Sequence, residues 1–251
     1  MNFYLLKLLT EKELKARYRG SVLGFFWSFL NPLLYMAVLT VIFSFIVRIK
    51  IENYPLFILS GLLPWIFVSS ALSQSTNSIV ANASLINKVY LPKELFPFSL
   101  ILANAVNFLF STLILLVLLV IFGIKLNIPV LIIFLPFVIL MTTAFCAGIC
   151  LLFSCLNVFL RDLTHLVSII LTFWFYASPV FYPVDMVPKK YLSLYALNPM
   201  VPIIHIYREI LLYGRVPQLK YILLGISIPI LFVILGYSIF RKYEHLFPEL
   251  I

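Results

Sequence analysis

Two rows of side chains are the ones whose types and spacing could do chemistry. Trp27, Asn31 and Tyr35 recur at i, i+4 and i+8, and His165, Ser168, Thr172 and Tyr176 follow helical spacing beside Phe173, Trp174 and Phe175. On a helix each row falls along one face. Flat rings next to amide, hydroxyl and imidazole groups offer stacking and hydrogen bonds that attract without gripping tightly. The same rings also suit the aromatic belt that faces lipid near the ends of membrane spans. With 24 Phe in the chain, both readings of any single ring stay open.

Bond-breaking chemistry has no comparable set. None of the eight glycines sits in a G-x-x-x-x-G-K-[ST] phosphate loop, so the sequence carries no means of hydrolysing ATP. It holds no paired carboxylates and no Ser-His-Asp set, and His165, His205 and His245 fall on different expected elements. Cys146, Cys150 and Cys155 share one apolar segment without a second group at metal-ligand spacing, and read as small packing residues rather than a metal site or disulfide framework. No expected span carries a carboxylate or lysine near its middle. Carriers driven by protons or sodium generally keep such groups there.

The elements that must position the two rows are membrane spans. Of 251 residues 63% are apolar and 11% charged, more apolar surface than a soluble domain of this length can hide. Apolar segments at about 22–47, 55–76, 98–122, 129–156, 164–181 and 219–240 predict an all-α integral membrane fold with six transmembrane helices. The first holds about 26 residues, roughly 39 Å at about 1.5 Å each, so it must tilt or bend; Asn31-Pro32 is the expected bend. The short turn around Gly123 to Pro129 makes a hairpin of the third and fourth spans. Residues 1–21 read as an amphipathic interface helix, with Leu5, Leu6, Leu9 and Leu14 on one stripe and Lys7, Lys12, Lys15, Arg17 and Arg19 around it. The first apolar run is too long for a cleavable signal. Residues 182–218, broken by five prolines, predict two short re-entrant or outer helices, about 186–197 and 200–213.

The net charge of +9 is spread over loop after loop, which suits anionic lipid head groups better than nucleic acid. Five basic residues precede the first span, against Arg48 and Lys50 after it, so the positive-inside rule puts both termini in the cytoplasm. The loops 77–97 and 157–163 are then cytoplasmic, and 182–218 faces outward. From the residues alone, the chain is the membrane half of a machine driven by a separate ATPase, a passive channel, or a scaffold.

Three stretches and the ending carry a resemblance that separates these readings. ELKARYRGSVLGFFWSFLNPLL (13–34), LINKVYLPKELFPFS (85–99), SPVFYPVDMVPKKYLSLYALNPMVPIIHIYREILLYG (178–214) and the tail GYSIFRKYEHLFPELI resemble, in order, the polysaccharide-exporting ABC-2 permeases that move O-antigen, capsule or teichoic-acid polymers. The resemblance implies a homodimer in the bacterial inner membrane, two copies of a nucleotide-binding subunit that bind ATP and Mg, and a lipid-linked polysaccharide substrate. Within that frame the rows Trp27, Asn31, Tyr35 and Ser168, Thr172, Phe173, Trp174, Tyr176 become a translocation pathway on which sugar faces stack. Asn87, Lys88, Tyr90, Lys93 and Glu94 become the coupling contact to the ATPase, with Pro92 starting a short helix; an ordinary solvated loop is the plainer alternative. Arg17 and Arg19 stand at the entrance, where a pyrophosphate, lipid head groups or the ATPase are equally available partners. Asp185, Arg208 and Glu209 form an outer gate, or snorkel to water. Another amphipathic substrate, such as a drug or lipid, remains the alternative cargo.

Overall fold

The structure is a computed structural model that describes residues 3–21, 24–48, 51–89 and 91–251, with the backbone alone at Phe25 and Phe45. Among these residues regular structure is entirely helical: α1 (Phe3–Tyr18), α2 (Trp27–Val41), α3 (Tyr54–Thr76), α4 (Ser78–Ala81), α5 (Ala83–Lys88), α6 (Leu95–Ile121), α7 (Ile128–Phe159), α8 (Leu163–Tyr176), α9 (Leu192–Tyr195), α10 (Met200–Leu211), α11 (Leu219–Tyr243) and α12 (Phe247–Leu250), with short 3-10 turns and one π-helical turn, Ile42–Ile46. Five helices, α2 with its π-helical end, α3, α6, α7 and α11 with its continuation, are long and apolar enough to cross a membrane, and α8 is a shorter sixth apolar helix.

Where the elements differ from expectation, proline explains the difference. The fifth span, expected over 164–181, stops at Tyr176, because Ser178 precedes Pro179 and a residue before proline avoids the α region. Its 14 residues cover only about 21 Å, less than the roughly 30 Å hydrocarbon core. The expected helix over 186–197 is instead the 3-10 turns Val184–Met186 and Lys189–Tyr191 followed by the single turn α9; Val187, before Pro188, is held extended and breaks the run. The second expected helix is present as α10. By contrast α2 runs as continuous α-helix past Pro32. Pro32 has no N–H to give the carbonyl of Ser28, and the Ser111 hydroxyl of α6 donates to that carbonyl instead at 3.3 Å.

The core is built around α3, whose residues from Leu56 to Leu72 are nearly all buried. It packs against α2, α6, α7, α8 and α10, which is why its sequence is apolar all round. The leucine stripe of α1 lies on α6, with Leu6 buried and Lys7, Lys12 and Lys15 exposed. One end of the bundle gathers α1, the segment α4–α5 and α12, as Asn87 and Arg161 reach the carbonyls of Ile251 and Leu250. The other end gathers the α6–α7 turn and the segment before α11, joined by Asn127 donating to the carbonyl of Gly214 at 3.0 Å.

The closest helix pair is α7 with α11. A Cβ at Gly148 would collide with the backbone of Phe232 and Val233, and one at Gly236 with the carbonyl of Gly148. Helices without a hydrophobic drive to associate gain from such backbone approach, through dispersion and Cα–H contacts to carbonyls. Gly148→Val and Gly236→Val are therefore expected to lower the unfolding temperature of the detergent-purified protein, each costing about 1–3 kcal/mol of packing. Gly225→Ala, whose Cβ would meet only the tip of Ile206 at 3.2 Å, should unfold near the parent; equal behaviour of all three would contradict the packing assignment.

Candidate functional site

Between α2, α3, α6 and α8 runs a groove made of two cavities. The first, of about 310 Å³, is lined by Arg17, Tyr18, Trp27, Ser28, Asn31, Ser70, Asn104 and Asn107 among others. The second, of about 640 Å³, is lined by Asn31, Tyr35, Trp65, Ser69, Ser70, Thr172, Phe175 and Tyr176 among others. Asn31, Ile66 and Ser70 belong to both, so the two join end to end.

The polar mouth is held by amides. Asn104, buried on α6, donates through Nδ2 to the carbonyl of Leu100 at 2.8 Å and to Gln74 Oε1 at 3.1 Å. This fixes its Oδ1 toward Arg17, whose Nη1 donates to it at 3.0 Å while Nη2 reaches Gln74 Oε1 at 2.5 Å. Tyr18 donates to Asn107 Oδ1 at 3.0 Å. Among the described residues no carboxylate lies within ion-pair distance of Arg17. Its charge is oriented by the neutral amides of Asn104 and Gln74.

Five residues of the two predicted rows, Trp27, Asn31, Tyr35, Thr172 and Tyr176, meet along this groove. The remaining three of the pathway set do not. Ser168 lies on the exposed side of α8, donating to the carbonyl of His165 at 2.7 Å. Phe173 is 73% exposed but lies off the groove. Trp174 turns inward, since each step of a helix rotates the side chain by about 100°. Its Nε1 donates to Asn198 Oδ1 at 2.8 Å and its ring meets Trp65 and Phe145 edge-on. Arg19 is exposed and lies beside Lys12 and Lys15 on α1, away from the mouth. Gln74, Asn104 and Asn107 were not anticipated. Amides inside or just at the end of apolar helices are the signal that points to them.

Of the charges expected at the outer gate, Arg208 is enclosed by the chain itself. Arg208 is only 5% exposed and does not snorkel to water. Its Nη2 donates to the carbonyls of Val180 at 2.6 Å and Phe57 at 3.2 Å, its Nη1 to that of Tyr182 at 3.5 Å, and its plane covers the Phe57 ring at 3.6 Å. Gly61 leaves the space, for a Cβ there would sit 2.6 Å from Nη2. A long guanidinium in an apolar surrounding takes carbonyls when water is out of reach. Glu209 is half-buried and Asp185 exposed; neither is ion-paired to Arg208.

Three of the five loop residues are tied within the chain. Lys93 Nζ donates to the carbonyl of Glu244 at 2.5 Å, and burial lowers its pKa below the ordinary lysine value, with Glu244 opposing. Glu94 is buried and pairs with Arg241 at 2.9 Å. Asn87 reaches Ile251, Lys88 is exposed, and Tyr90 lies outside the described residues.

Among the described residues, a helical bundle with five helices long and apolar enough to cross a membrane defines a multi-pass membrane protein. The family model described as ABC-2 type transporter matches residues 4–212, and the chain belongs to that family. It is 34% identical over 249 residues to the O-antigen export system permease protein RfbA of Klebsiella pneumoniae, covering 99% of this chain and 95% of that one. It is 36% identical to the protein of the same name from Myxococcus xanthus over 98% of this chain and 94% of the relative. The polysialic acid transport protein KpsM of Escherichia coli is 26% identical over 82% of this chain and 81% of its own length.

Replacing Arg208 by Met leaves three carbonyls without their charged donor, a loss of at least about 2 kcal/mol. Gly61→Val displaces the same guanidinium. Both should lower the unfolding temperature, and the double variant should be little worse than either single one, because one interaction is lost twice. Additive losses, or an Arg208→Met protein of parental stability, would contradict the assignment.

Proposed function

We propose that the chain is the membrane-spanning permease subunit of an ABC transporter that exports a lipid-linked polysaccharide of the O-antigen type across the bacterial inner membrane. Two copies work together with two copies of a separate ATPase subunit, which binds ATP and Mg. Both termini, α1 and the 77–94 segment face the cytoplasm. The family membership and the names of the relatives support the cargo class, and the groove supports the mechanism.

The observation that carries the reading is the order of groups along that groove. Arg17, free of carboxylates, stands at the cytoplasmic mouth, where the phosphoryl groups of a lipid carrier would arrive. Trp27, Asn31, Tyr35, Thr172 and Tyr176 follow it inward. Rings with amides and hydroxyls between them let a sugar chain rest at each step and leave again, with about 0.5–1.5 kcal/mol per aromatic contact. The groove is open on one flank, where α2 has Pro32 as its buried residue and exposes Leu34, Tyr35, Val38 and Val41. A second copy facing this flank turns the groove into a closed conduit. Asn87 and Lys88, exposed at the end of α5, offer the ATPase a contact on the same cytoplasmic end as Arg17. Nucleotide-driven movement there widens or narrows the conduit, with no carboxylate or lysine needed near the middle of a span.

In the purified complex, Arg17→Gln is expected to raise at least tenfold the concentration of lipid-pyrophosphate glycan that half-stimulates ATP hydrolysis, since hydrogen bonds to a charged group contribute about 1.5–3 kcal/mol. Tyr35→Leu with Tyr176→Leu should keep expression and slow export severalfold. Unchanged glycan response in the first and full export in the second would place the groove in lipid or packed protein.

A further inference from the structure

The end of α11 and the segment after it hold the 83–94 segment more tightly than a solvated tail requires. Arg241 reaches Glu94 through Nη2 at 2.9 Å and Glu244 through Nη1 at 2.8 Å, while its Nε donates to the Tyr237 hydroxyl at 2.9 Å. Glu94 is 7% exposed, and its second oxygen, Oε2, is buried with no donor among the described residues. Arg241 is thus the cation paired with this buried carboxylate. Beside the pair, Lys93 donates to the carbonyl of Glu244 and lies 5.6 Å over the ring of Phe247. Phe247 is fully buried, edge-on to Phe240 of α11, in a cluster with Ile79, Ile86 and Phe96. Asn87 and Arg161 complete the enclosure by reaching the carbonyls of Ile251 and Leu250.

We propose that residues 241–251 form a clasp that joins the 83–94 segment to the last span, so that a push on this segment moves α11 together with α6. The path onward is rigid. α11 meets α7 through the Gly148 and Gly236 backbone contact, and a displaced α11 carries α7 with it, whereas a free segment would swing without moving either helix. Arg241 is a positioning residue in this arrangement: it touches neither cargo nor nucleotide and acts through Glu94. The coupling part of the proposal rests on the reading that the ATPase pushes on the 83–94 segment; the clasp itself does not.

The test has two arms that fail separately. In the first, amide hydrogen exchange is followed in the full chain without ATPase. Arg241→Gln should speed exchange at 83–94 and at 244–251 together, at least tenfold, with Arg241→Lys in between; faster exchange at 244–251 alone would overturn the clasp. In the second, the complex is purified with its ATPase and export is counted per ATP hydrolysed. Arg241→Gln should co-purify with the ATPase, hydrolyse ATP at the parental basal rate, and export at least fivefold less per ATP, with Arg241→Lys restoring much of it. Parental export per ATP, or loss of co-purification confined to the variant, would overturn the coupling role. If the parent chain itself binds no ATPase, the function proposed above fails while the exchange result still decides the clasp.

Discussion

The constraint on which the rest depends is that a backbone carbonyl at membrane depth must find a donor inside the protein. Past the end of α8 the chain leaves the helix for several residues without leaving the bundle, and side chains take over. The Tyr182 hydroxyl donates to the carbonyl of Tyr176, Asn198 to that of Ala177, Arg208 to those of Val180 and Tyr182, and Tyr54 to that of Phe181 at 2.6 Å. These donors come from α3, α10 and the segment between α8 and α10. The irregular stretch therefore ties three parts of the bundle together. It also holds α8 with Trp174 inward, which turns Thr172 and Tyr176 toward α2.

The groove follows from the same economy of donors. Pro32 lets α2 approach α6 because Ser111 takes the place of the missing N–H, and Asn104 and Gln74 share Arg17 between them. The groove presents amides, hydroxyls and rings, with Arg17 at one end. It fits an ABC-2 type permease, in which free energy enters from another subunit and the membrane part has to offer a shaped, weakly adhesive surface and a stiff route for motion. The α7–α11 backbone contact and the Arg241–Glu94 pair supply the stiffness.

Much of this was legible in the sequence because it is local. Hydropathy marked the spans, the short turn near Gly123 marked the α6–α7 hairpin, and leucine spacing marked the face of α1 on which Leu6 is buried. The rows Trp27–Asn31–Tyr35 and Thr172–Tyr176 were readable from helical period alone. Partners far apart in sequence were not. Trp174 reads like its neighbours until Asn198 is seen to hold it. Arg208 reads like a gate or a snorkelling charge, but the carbonyls of Phe57 and Val180 that surround it lie far off in sequence. Lys93 and Glu94 read like a coupling contact or solvated loop charges, and their partners Glu244 and Arg241 are also distant. The shortness of α8 was partly visible, since Ser178-Pro179 stands where the helix ends.

The most direct measurement of the central claim is photocrosslinking from the groove wall during export. A benzophenone side chain at Tyr35 or Tyr176 should capture the glycan in transit in the assembled, ATP-fed complex. The same group at Leu113 or Val117, exposed on α6 away from the groove, should capture lipid alone. Glycan captured from positions 113 and 117 but not from 35 and 176 would contradict the account.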